Sequence, residues 1–415
     1  MLATPAHAAP STPGRAETDD LQHIQELIEG LGAEDAPAQA ASERELSSLP
    51  LEDCGLVLDV LLYRVVPSAG SPTLSPEAEE LLVERLRTWP ADRVASLCLE
   101  ETRGGELDLK LRGLELFGAF ADARSWPELL ELCRSFSPEE VVHPLVSNRL
   151  RETFHALLER DPDTHAAVEQ ALGSAEPWLE RALVEALGLT GRGEALGLLR
   201  SLLDRDPLLD ARVLKALSSW KRWDERYDDC VALVRDYLRS PSADVRLSAA
   251  TALGRLGAGD AIPYLIPALD DGSSAVRRTA LWSLRYVTGI EFLTSSAEWL
   301  AWYEREEEWR DERAPDLMVA ASEAPVAEAL PAVCELGRHP WFPDLADELV
   351  EAIHHPEPMV VEAVCGALAR IGGSVSFRAL LDLSEDGRPE VQRAAREGFE
   401  LLAGESYTEG IAESM

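Results

Sequence analysis

Between Asp244 and Gly257 the apolar residues return every three or four positions, so Val245, Ala249, Ala252 and Leu253 make one stripe along a helix. Gly257 ends that helix, because glycine accepts the left-handed backbone of a helix C-terminus at little cost. Asp260 is then placed to cap a second helix carrying Pro263 in its first turn. In it Ile262, Leu265, Ile266 and Leu269 fall at i, i+3, i+4 and i+7, and Asp270-Asp271-Gly272 turns the chain back. The pattern predicts one antiparallel helix pair.

The same pattern recurs. Val276 to Leu284 repeats the first helix 31 residues later, and Leu179 to Gly188 precedes it by two periods of 33. Ala211 to Leu217 fills the slot between, Val360 to Gly372 and Val391 to Phe399 are two further copies, and Leu109 to Gly118 with Trp126 to Cys133 is a weaker one. Alanines stand at matched positions, among them Ala186, Ala216, Ala252 and Ala367, where small side chains let helix axes approach. Each pair leaves an apolar face open until a neighbour stacks on it, which requires several copies in a row. The expected fold is all-α, a right-handed α-solenoid of stacked antiparallel helix pairs. It should carry roughly 65–75% helix, about twice the share in an average globular domain, and no strand.

Asp244-Val245-Arg246 followed by Ala-Ala-x-Ala-Leu-Gly-x-Leu-Gly resembles the bacterial HEAT repeats of the phycobilisome-lyase type. Val287-Thr288-Gly289 with Phe292, then Trp299 and Trp302, is similar to the close of such arrays. The resemblance is specific over 174–293 and 355–404 and general elsewhere. It implies a superhelical binding surface. Through the repeat subtype alone it also implies an alternative, a bilin lyase or isomerase acting on a linear tetrapyrrole.

Around the repeats the chain divides further. Residues 1–20, rich in Ala, Pro, Ser and Thr, read as a disordered leader; Ala6-His7-Ala8 looks like a signal-peptidase site, but too few residues precede it for an apolar segment. Residues 21–105 form a helical cap, with a short helix from Leu21 to Gly30, an Ala/Pro-rich joint through Ala41, and apolar helices over 51–66 and 76–89. The array runs over 106–293, with a degenerate pair at 139–172. A Trp-rich acidic helical insertion follows over 294–324, then C-terminal repeats over 325–404 and a tail over 405–415.

Charge narrows the partners. Lys and Arg number 39 against 75 Asp and Glu, a net charge of −36. Such a chain repels phosphate backbones and anionic headgroups, so neither nucleic acid nor membrane is expected as a partner. It favours a basic protein partner, or serves solubility alone. The six cysteines contain no Cys-x-x-Cys pair, the usage of a reducing, cytoplasmic compartment, and those in helical stretches (Cys98, Cys133, Cys334, Cys365) read as small hydrophobes. No apolar run is long enough to span a bilayer.

Catalytic patterns are missing: no His-Glu-x-x-His, no P-loop, no Gly-x-Ser-x-Gly. His354 and His355 would point about 100° apart on a helix, and His143, His155 and His165 lack carboxylates at ligand spacing, so the histidines read as surface or capping residues. The expectation is a scaffold without enzymatic activity, cofactor or metal, binding a protein on the concave face made by the second helix of each pair. Two breaks in the repeat supply candidate binding residues. One is the aromatic and basic joint from Ser219 to Tyr227, with Trp220, Arg222, Trp223 and Tyr227 of the types that dominate binding hot spots. The bland alternative is that its indoles fold back over a longer loop. The other is the helix from Glu298 to Arg313, whose Trp299 and Trp302 form an aromatic flank suited to packing or to a partner.

Overall fold

The computed structural model describes residues 23–24, 26–31, 36–63, 74–173, 175–222, 224 and 226–403. Helix accounts for 78% of them and none lies in a strand. The fold is an α-solenoid of stacked antiparallel helix pairs. The expected leader, the tail and Trp223 lie outside the described residues. The chain divides into two compact units between Ala186 and Leu187.

The first unit holds α1 (Ala36–Leu46), α2 (Cys54–Tyr63), α3 (Pro76–Thr88), α4 (Ala91–Thr102), α5 (Leu107–Phe120), α6 (Trp126–Arg134), α7 (Pro144–Arg160) and α8 (Thr164–Leu172). Helix α1 starts inside the stretch expected to be a joint. Alanine is the best helix former, and Pro37 falls in the first turn, where its missing N–H costs nothing. Helices α5 and α7 lie close together: a Cβ on Gly118 would come within 3.3 Å of the Thr153 backbone, and the Thr153 hydroxyl donates to Leu114 O at 2.9 Å. The two cations drawn into this unit are neutralised where they enter. Arg112 donates to Leu61 O at 2.9 Å and pairs with Glu79 and Glu115, while Lys110 pairs with Glu140 at 3.0 Å.

The boundary falls within α9 (Pro177–Leu189). The second unit continues with α10 (Gly193–Leu202), α11 (Pro207–Leu217), α12 (Tyr227–Asp236), α13 (Ala243–Leu256), α14 (Ile262–Ala268) and α15 (Ser274–Thr288). The helices α11, α13 and α15 are the first members of successive pairs and stack in a row. Small residues set their spacing. A Cβ on Gly188 would stand 2.5 Å from Ala216 O, and one on Gly254 would stand 2.5 Å from Ser283 Oγ. Ala216, Ala252 and Ala367 are buried as the repeat predicts. Gly257 adopts the left-handed conformation, with φ of 68°.

The predicted cap at Asp260 is a correction. Residues Gly259–Ala261 form a 3₁₀ turn, α14 starts at Ile262 without a side-chain cap, and Pro263 in the first turn removes one N–H that a cap would serve. The apolar stripe Ile262, Leu265, Ile266 and Leu269 is buried. The unit closes with α16 (Ser296–Glu312), α17 (Ala314–Glu323), α18 (Val326–Leu336), α19 (Leu345–Leu349), α20 (Pro358–Ile371), α21 (Gly373–Leu383) and α22 (Pro389–Ala403), in which α18, α20 and α22 again stack in a row. Ser295 and Glu298 form a reciprocal capping box at the start of α16. Five cysteines are buried and free. Cys334 is exposed, against the expectation of a core position, because it lies off the buried stripe of Ala329, Ala332, Val333 and Leu336 on α18.

Candidate functional site: the second-helix face of the array

The first helices touch through glycine, alanine and serine, but the second helices carry longer side chains and are held apart. Two hollows result. One, of about 280 Å³, lies between α10 and α12 and is lined by Leu196, Gly197, Arg200, Arg226, Asp229 and Leu233 among others. The next, of about 520 Å³, lies between α12 and α14; Arg235, Arg239, Pro263, Tyr264, Pro267 and Asp271 line it. Asp236 belongs to both, so the hollows adjoin.

The larger hollow sets Tyr264 and two prolines among charges of both signs, Arg235 and Arg239 with Asp236 and Asp271. The Arg235 guanidinium sits 4.5 Å from the centre of the Tyr264 ring, which holds a ring that is 38% exposed in one orientation. Asp271 brings no free charge: Arg246 grips both of its oxygens, at 2.7 and 2.9 Å, and that hydrogen-bonded pairing lowers its carboxyl below the usual range. Arg239 is exposed, and no acid of the described residues pairs with it. In the smaller hollow Arg226 is held by Asp229 at 2.7 Å, leaving Arg200 exposed beside it. This surface can receive a chain that presents an apolar side chain to Tyr264 and the prolines, and acceptors to Arg200 and Arg239.

Within the joint from Ser219 to Tyr227, the candidate residues Trp220, Arg222 and Tyr227 turn the other way, into the protein. Trp220 is 3% exposed. Arg222 donates to Gly257 O at 2.5 Å and to Ile371 O at 2.9 Å, tying together the turns of three helix pairs. Gly257 and Gly372, both at positive φ, leave the room this needs, since a Cβ on either would come within 2.7 Å of the guanidinium. Tyr227 donates its hydroxyl to Leu256 O at 2.7 Å, and burial raises its pKa. Of the candidate residues in the joint, Arg222 and Tyr227 thus act as an internal clasp, and Trp220 is buried beside them in the chain. Trp299 and Trp302 are also buried; they meet edge to face at 5.5 Å, and Trp302 meets Trp341 at 5.2 Å.

The residues of the second-helix face escaped sequence reasoning, although a signal existed. Tyr264 is an aromatic residue standing off the buried stripe of its own helix, where solubility would place a polar one. His339 also differs from its reading as a surface or capping residue. It stacks on Trp309 at 3.4 Å and meets Glu306 at 2.6 Å, positions that neighbour one another only after α16 and α18 pack.

Residues 199–285 and 315–400 match the family model of HEAT repeats. HEAT repeats are thus detected over two stretches that together make up less than half of the chain. The second-helix hollows therefore lie within or beside the first HEAT segment. No curated protein matches the sequence. Among solved structures, an engineered protein from a structural genomics consortium is 15% identical, covering 92% of this chain and 98% of its own, with a TM-score of 0.27. The karyopherin Kap121p bound to the extreme C-terminus of the protein phosphatase Cdc14p is 13% identical, covering 92% of this chain, with a TM-score of 0.33. The chain spans 45% of the length of that karyopherin. Human deoxyhypusine hydroxylase in complex with glycerol is 15% identical, covering 76% of this chain and 98% of its own, with a TM-score of 0.23.

Proposed function

We propose that this protein is a non-catalytic scaffold that binds a protein partner along the second-helix face of its HEAT repeats. The observation that carries the reading is the pair of adjoining hollows over α10, α12 and α14, with Tyr264 clamped by Arg235 and Arg239 left without an acid. An exposed tyrosine under one arginine, in a hollow that a second arginine lines, has the composition of a binding hot spot. The net charge of −36 gives the body a long-range attraction for a basic partner, while the hollows supply the local contacts. Among the described residues no helix is long and apolar enough to cross a membrane, consistent with a partner met in solution.

The test is affinity capture with quantitative mass spectrometry, comparing wild type with a Tyr264→Ala/Arg239→Glu double variant. Both side chains are exposed, so the variant should fold. A partner retained by wild type and lost at least tenfold by the variant supports the reading. Equal recovery of every captured protein would sink it.

A further inference from the structure

We propose that the outer face of α15 (Ser274–Thr288) is a second, independent docking surface, built for a short acidic peptide carrying an apolar or aromatic anchor. At 100° per residue, Arg278, Trp282, Arg285 and Tyr286 fall opposite the buried Val276, Ala280 and Leu284. Trp282 is 44% exposed and Tyr286 63%, and their rings stack at 5.2 Å with an interplanar angle of 25°. Large aromatic rings left in water, adjoining one another, mark interaction sites far better than single exposed leucines do.

The backbone beneath is shaped for this pair. Gly254 on α13 lets the Trp282 ring lie against it, since a Cβ there would be 2.8 Å from Trp282 Cζ3. Ser283 fixes the register by donating to Ala250 O at 2.7 Å. Beyond α15, Gly289 turns the chain at φ of 73° and presents Phe292, which is 79% exposed.

Charge selects the partner. From Ser273 to Ile290 the chain holds Arg277, Arg278 and Arg285 and not one acid, although the protein as a whole carries −36. Arg277 is occupied by Asp271 O at 2.7 Å, but Arg278 is exposed and pairs with no acid of the described residues. Arg285 makes only a long contact, 3.4 Å to Leu293 O, and its enclosed Nε has no acceptor. Two underused guanidinium groups beside a stacked Trp–Tyr pair fit carboxylates spaced around an apolar anchor. Single-stranded nucleic acid also stacks on aromatic rings beside cations. A polyanion would, however, run on from this patch over an acidic body. A short peptide overlaps far less of that body, and charges more than about 8 Å from it are largely screened at physiological salt.

Random twelve-residue peptides displayed and selected on the purified full chain provide the test, followed by fluorescence anisotropy of the enriched peptides. We expect sequences rich in Asp and Glu around Trp, Phe or Leu. Their affinity should fall at least tenfold in Arg278→Glu and in Trp282→Ala, and stay unchanged in Arg239→Glu, which separates this surface from the second-helix hollows. Circular dichroism melting of both α15 variants checks that the fold is kept. A library that enriches nothing, basic or neutral winners, peptides that bind the α15 variants as well as wild type, or displacement of the peptides by an oligouridine would each overturn the proposal.

Discussion

Arg222 sits in a joint whose sequence invites the opposite reading. A break in the repeat with Trp, Arg and Tyr has the composition of a hot spot, yet the guanidinium is spent on Gly257 O and Ile371 O. The second acceptor is 149 residues away in the chain, and no local pattern reports such a neighbour. Arg222→Ala should leave two half-buried carbonyls without their charged donor and cost about 2–4 kcal/mol in urea unfolding. Arg222→Lys should recover only part, because an ammonium lacks the fork that spans both acceptors. An Ala variant as stable as wild type would show that the clasp contributes nothing. Asp59 allows a second test at this scale. Burial, with the Glu101 carboxylate adding to it, raises its pKa to about 6. A raised carboxyl favours the protonated fold, so its contribution is complete below the unfolded value near 4 and is lost as pH rises through about 6. Asp59→Asn should therefore raise the melting temperature at pH 7.5 and change little at pH 4. An equal gain at both pH values would remove the buried charge as the cause.

Between helices, stability depends on how closely the first members of each pair approach. Gly188→Ala would drive a methyl group to 2.5 Å from Ala216 O and should destabilise by about 1–3 kcal/mol. Gly197, also inside a helix, has nothing within 4 Å of its Cβ position, so Gly197→Ala should stabilise by about 0.5–1 kcal/mol. Paired thermal melts decide, and two changes of the same sign would contradict the packing. Ala252→Phe, at a fully buried stacking position, should cost about 1–3 kcal/mol for the same reason. This level was the most legible in the sequence: the stripe from Val245 to Leu253 and the stop at Gly257 are one-dimensional patterns of helical period. The stacking alanines follow from them. What could not be read is which side chains point into the gaps between second helices. Tyr264 and Arg239 become one surface only because α12 and α14 stand apart, a distance set by glycine and serine on other helices. Trp282 and Tyr286 were closer to legible, being aromatic residues on the polar side of α15, but their stack needs Gly254 from α13.

For the molecule as a whole, the charge of −36 is unevenly spread. Residues 209–290 hold twelve Lys and Arg against ten Asp and Glu, so the repeats that carry both proposed surfaces are nearly neutral within an acidic body. A basic partner should be steered by the body and gripped by the hollows, so its association rate should fall as salt rises while its dissociation changes less. Stopped-flow mixing at two ionic strengths reads this, and a salt-independent association rate would contradict it. The most direct measurement of the scaffold reading is hydrogen–deuterium exchange on the chain with and without its captured partner. The account predicts slowed exchange over 193–202, 227–239 and 262–271, the second helices that line the hollows, with the first helices α11 and α13 unchanged. Protection confined to other segments, or none at all, would contradict the claim that this face binds.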